Sequence, residues 1–166
     1  MTPRFAHQRS YTRSRGWQET TGDFVCLHCR RLVQKHVLLS GVRNRNHCPY
    51  CLSSRHLDLF EAGDRLAACL GTMRPVALTL KRDGNKYAAD SGELMLVHVC
   101  SECGKVSIHR IAADDDNDLI LQVFRASRSL DASIRVALAQ SGIAPLGAHQ
   151  EGLVRQRLWG KAAMGE

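Results

Sequence analysis

The sequence predicts a small α+β protein: a β core with CxxC knuckles, a flexible basic arm ahead of it and a helical tail behind it. Three observations predict this class. Six of the seven cysteines stand as CxxC pairs, Cys26/Cys29, Cys48/Cys51 and Cys100/Cys103. Short Val- and Leu-rich runs with partial alternation fill the middle of the chain. After residue 125, apolar residues recur at helical spacing instead.

At 166 residues the chain can build one domain with a real core. Residues 1–22 carry four arginines without apolar periodicity and read as the flexible basic arm. Residues 23–125 read as the cysteine-knuckle domain, which the chain enters at Phe24-Val25-Cys26. Leu32 to Leu39 alternates weakly, as a short strand does, and Gly41 then turns the chain. Pro75 to Leu80 and Glu93 to Val99 read as strands, with turn residues Asp83-Gly84-Asn85 and Ser91-Gly92 between them. Lys105 to Ile111 supplies a return strand. Asp114 to Asp118 precedes Leu119 to Phe124, and carboxylates there suit the start of a helix near Asp118. Residues 126–166 form the helical tail. Leu130, Ile134, Ala137 and Leu138 lie on one helix with Ser129 as its cap and Gly142 and Pro145 as stops. A second helical stretch covers Gln150 to Trp159.

Cys26-x2-Cys29-x18-Cys48-x2-Cys51 has the spacing of a four-cysteine zinc site. Two residues between thiolates let one tight turn present both sulfurs to an ion, and a strand-turn-strand excursion returns the second pair opposite the first. The core is therefore expected to be zinc-ribbon-like. Cys69, Cys100 and Cys103 remain, and three thiolates ask for a fourth ligand. The candidates are His56, His98, His109 and His47, with His56 preferred because it lies between the two cysteine sets; His98 shares a strand face with Cys100. Two Zn²⁺ ions are expected, both closed and structural. A redox reading of the CxxC pairs fits less well, since none follows a βαβ frame.

The positive charge is concentrated at one end. Residues 1–47 hold nine Lys/Arg against two Asp/Glu, whereas the remainder balances at fourteen of each. Arg13 and Arg15 in the arm, then Arg43, Arg45 and His47 beside the second CxxC, are the expected nucleic-acid contacts, RNA above all. Arginines near the first site also offset the charge of four thiolates. The C-terminal helices offer a face for a protein partner. No apolar run reaches membrane-spanning length and MTPRFAHQRS lacks an apolar h-region, so the expectation is a soluble, cytoplasmic chain with reduced thiols and no membrane partner.

The string Arg45-Asn46-His47-Cys48-Pro49, followed in order by Gly63-Asp64-Arg65, Cys69, Cys100-Ser-Glu-Cys103-Gly104 and Ile111-Ala-Ala-Asp-Asp115, resembles the RNHCP-domain family of bacterial proteins. The resemblance covers about Phe24 to Phe124 and implies a small zinc-ribbon-type protein. Where the family's pattern has a proline before Gly63 this chain has Ala62, and His109 stands where an asparagine precedes the arginine. A binding module is expected rather than an enzyme, because closed thiolate sites do not activate water. Two alternatives stand beside it: a metal-dependent hydrolase or nuclease using Asp58, Asp64 and the Asp114–Asp118 cluster near His47, and a zinc-linked thiol redox switch.

Overall fold

The computed structural model describes residues 22–61, 63–81 and 92–160. The arm arginines Arg13 and Arg15 and the Asp83-Gly84-Asn85 turn lie outside the described residues. Within them the chain is a small α+β fold with two antiparallel sheets. Strands β1 (Phe24–Val25) and β2 (Leu32–Val33) form a minimal hairpin around the first knuckle. The larger sheet runs β3 (Ser54–Arg55), β4 (Thr72–Lys81), β5 (Glu93–Cys100) and β6 (Val106–Arg110), each paired with the next.

The strand expected over Leu32 to Leu39 stops at Val33. Val37–Ser40 instead closes one helical turn, α1, which Gly41 ends at φ 70° with its N–H donating to the Val37 carbonyl at 2.7 Å. The weak alternation misled because Val37, Leu38 and Leu39 all lie exposed on this turn. Only glycine takes up that left-handed cap at no steric cost.

Pro75 sits inside β4, where a missing N–H would normally break a ladder. It is tolerated because β3 pairs only through Thr72 and Met73, so β4 has no neighbour on that side at Pro75. A bulge between Pro75 and Ala77 then resets which residues face which side. Beyond it, Leu78 and Leu80 pair with Leu96 and Leu94, while Ala77 and Thr79 pair with Val97 and Met95 on the opposite face.

Each face has its own core. On one, Leu78, Leu94 and Leu96 pack with Leu52 and with Ile120, Leu121 and Phe124 of helix α2 (Asn117–Ala126). Leu146 and Val154, the latter from α4 (Glu151–Trp159), complete that cluster. On the other, Ala77, Val97 and Val106 meet Leu138 of α3 (Ala132–Gln140), with Leu130, Ile134 and Ile143 around it. Helix α2 begins one residue before the expected start, because the Asp116 carboxylate accepts the backbone N–H of both Asp118 and Leu119. Ser129 does not cap α3; it lies in a short 3-10 turn, and Asp131 precedes the helix.

The tail thus supplies side chains to both cores. Leu138→Ala, at a fully buried position, is expected to cost about 2–5 kcal/mol in urea unfolding. A loss within experimental error would show that the tail only rests on the sheet.

Candidate metal centres

The three CxxC turns share one backbone geometry. In each, the first cysteine's carbonyl accepts the N–H of the residue after the second cysteine: Arg30 to Cys26 at 2.9 Å, Leu52 to Cys48 at 2.8 Å, Gly104 to Cys100 at 3.0 Å. The first cysteine's own N–H donates to the residue beyond, Arg31, Ser53 or Lys105. This closure needs a left-handed residue directly after the pair, and Arg30 (φ 63°), Leu52 (φ 58°) and Gly104 (φ 73°) provide it. Leu70, directly after Cys69, is left-handed too (φ 50°). Non-glycine residues in this region are strained. Three of the four such residues described therefore adjoin a cysteine of a candidate site.

These turns gather two clusters. Cys26, Cys29, Cys48 and Cys51 place their sulfurs within 4.8 Å of one another. The closest pairs are Cys26 to Cys51 at 3.6 Å and Cys29 to Cys48 at 3.5 Å. His56, Cys69, Cys100 and Cys103 form the second group. There His56 Nδ1 lies 2.8 Å from Cys69 Sγ and 3.3 Å from Cys103 Sγ, and Cys69 Sγ lies 3.6 Å from both other sulfurs. Gly71 leaves room for this approach: a Cβ there would stand 2.9 Å from Cys100 Sγ and 2.5 Å from Glu102 Cγ. The first cluster is the more enclosed, whereas Cys69 and Cys103 are exposed.

Burial, opposed by the Tyr50 N–H and reinforced by the neighbouring sulfurs, pushes the Cys48 thiol far up; burial likewise raises Cys51. Burial also raises Cys29, but the Arg31 N–H and bonds from the other thiols outweigh it and bring Cys29 down to about 7. In the second cluster burial and the adjacent sulfurs carry Cys69 up to about 11. Burial, and then the charge of Lys105, lowers His56 and keeps its imidazole neutral, the form that ligates metal. Four thiols this close cannot all ionise unaided. A divalent cation would take the place of the protons, so both clusters could hold metal ions.

The other histidines point elsewhere. His98 is fully buried and donates Nε2–H to the Leu52 carbonyl at 2.7 Å; burial lowers its pKa to about 3. It stacks on His109 at 4.4 Å between ring centroids, and His109 Nε2 lies 2.9 Å from Ser107 Oγ. His47 donates to Asp115 Oδ2 at 2.7 Å.

This overturns part of the expected nucleic-acid surface. Arg45 and His47 are 1 % and 2 % exposed and face inward. Arg45 Nη1 bonds both oxygens of Asp114 at 2.8 and 2.7 Å, Nη2 bonds Asp115 Oδ1 at 3.0 Å, and Nε donates to the His47 carbonyl at 3.1 Å. A guanidinium buried among these partners is not presented to solvent, where a phosphate would meet it. Arg43 does remain exposed.

The same bonds account for the acidic segment. Asp115 also accepts the Ala112 N–H, and Asp116 caps α2. Asp64 accepts backbone N–H groups from Leu59, Phe60, Glu61 and Leu66, which outweigh its burial and hold its carboxyl well below the usual range. Asp58 accepts from Asn46 Nδ2 and the Arg65 N–H. Among the described residues these carboxylates form no convergent ligand group. Gly71, the left-handed knuckle positions and the Arg45–Asp115 pair escaped sequence reasoning; only Gly104, following its CxxC, carried a visible signal.

A family model described as the RNHCP domain matches residues 21–121. No curated protein and no solved structure matches the chain.

Asp115→Asn leaves the buried Arg45 with half its charge partners and is expected to cost about 3–5 kcal/mol of stability. Asp114→Asn, at a carboxylate 38 % exposed, should cost no more than about 1 kcal/mol. Equal losses in urea titrations would contradict the asymmetry.

Proposed function

The chain belongs to the RNHCP domain family, and we propose that it is a zinc-binding module that contacts RNA. The observation that carries the metal half is the convergence of two complete four-ligand sets, one all sulfur and one of three sulfurs with the His56 imidazole. Sulfur and imidazole donors in groups of four suit zinc, and a set of four protein ligands leaves no open position for substrate. Zinc would supply rigidity by fixing the knuckles against one another. Seven thiols kept available for metal fit a reducing compartment such as the cytoplasm. No helix among the described residues is long and apolar enough to cross a membrane.

RNA is the partner that suits the charge. The basic excess belongs to the N-terminal portion of the chain, and Arg30, Arg31, Arg43 and Arg55 are exposed around the knuckles. Arg31 lies 4.9 Å over the Tyr50 ring, which is itself 48 % exposed, so a cation and an aromatic face are offered together. Neither the hydrolase nor the redox reading has a comparable observation behind it.

Two zinc ions per chain are expected by elemental analysis, with His56→Ala falling to one; one ion in the unaltered chain would refute the two-site reading. In filter binding, RNA affinity should fall linearly on logarithmic axes as salt rises. Replacing Arg31 and Arg43 by Ala should lower that slope by about one for each phosphate contact removed. An absence of binding at low salt rejects the RNA half.

A further inference from the structure

Between the first knuckle and β3 lies a cleft of about 120 Å³. Phe24, Val25 and Leu27 line it from the knuckle side, and Val25 and Leu27 are 54 % and 52 % exposed. Lys35 and Arg55 also line it, and no carboxylate does. Lys35 Nζ stands 5.4 Å from the Phe24 ring centroid. The Arg55 Nε donates to the Leu70 carbonyl at 3.1 Å, which fixes the side chain, while its two terminal nitrogens have no partner among the described residues.

Apolar side chains this exposed favour covering, and the Arg55 guanidinium, with no carboxylate in the lining, favours an anion. An apolar ligand would leave the guanidinium idle, and a bare phosphate would leave Val25 and Leu27 wet. A nucleotide satisfies both at once, with its base against the apolar wall and its phosphate on Arg55. In a duplex the bases are stacked and paired, so only an unpaired nucleotide can offer one to a cleft. We propose that this cleft is a binding site for one unpaired nucleotide of single-stranded RNA, which rests on the RNA reading above and narrows it to single strands. Cys26, a ligand of the first centre, belongs to the same lining, so the site's shape depends on that centre being closed.

The test uses the full zinc-loaded chain and fluorescence anisotropy with labelled oligouridylate and an RNA duplex of equal length. Leu27→Ser and Arg55→Ala probe the cleft, and Leu38→Ser, at an 89 % exposed position outside it, is the control. Metal content verifies that each variant is folded, and Arg55→Lys tests whether charge alone restores binding. The single strand should bind about tenfold more tightly than the duplex. Each cleft variant should lose about tenfold for the single strand with little change for the duplex, Arg55→Lys should lose less than Arg55→Ala, and Leu38→Ser should stay near the unaltered value. Equal affinity for both RNAs, or unaltered affinity in both cleft variants, overturns the cleft site while leaving a basic RNA-contacting face intact. No RNA binding at low salt overturns both readings. Polyglutamate binding that is equally sensitive to Leu27 and Arg55 also overturns it, in favour of an acidic peptide.

Discussion

Seven sulfurs and one imidazole crowd into two clusters, and their thiols could all ionise only with a cation among them. Much of the fold depends on that constraint. The first cluster has few apolar neighbours: Cys26, Val33 and Cys48 are buried, with Phe24 packed beside them. A β1–β2 hairpin with so small a core cannot hold itself closed by burial alone, and bonds to a metal ion would supply the difference. The second cluster is rooted differently. Cys100 ends β5, the strand that also carries Leu94 and Leu96 into the main core. The two centres are joined by a short path, since Cys51 belongs to one and His56 to the other, with β3 between them. Fixing either knuckle therefore positions the other.

The inward half of the family's signature string performs a second task. Arg45 reaches across 70 residues of sequence to Asp115, and Asp115 holds His47 as well. This ties the knuckle region to the start of α2, whose first turn is capped by the next residue, Asp116. A buried ion pair of this kind adds little net stability compared with well-packed apolar residues, but breaking it strands a charge. Its value lies in register, because the placement of the 112–116 segment satisfies Arg45, His47 and the helix cap together. The part of the signature that looked available to an RNA partner is thus enclosed.

The cysteine spacing, the long strands and the tail helices were legible because each has a local signal: CxxC pairs, Val- and Leu-rich alternation, helical periodicity. The two four-ligand clusters and the choice of His56 followed from counting donors, although sequence alone left His98, His109 and His47 open. What removes those three from the second cluster is long-range: the Leu52 carbonyl for His98, Ser107 beside His109, Asp115 for His47. Arg45 was misread for the same reason, since a lone arginine beside a cysteine looks solvated until its acidic partners are brought to it. The turn at Val37–Ser40 failed on weak alternation, which an exposed helical turn produces as readily as a strand does. Strain at Arg30, Leu52 and Leu70 left no mark in residue type at all.

The exposed Cys69 and Cys103 and the enclosed first cluster differ in access, yet both sets present four donors. A closed, structural role for both ions is the centre of this account. X-ray absorption at the zinc edge of the metal-loaded chain tests it directly. Averaged over two ions, the first shell should hold seven sulfurs at about 2.3 Å for each nitrogen at about 2.0 Å. Oxygen in that shell, a larger share of nitrogen, or one ion per chain would contradict it.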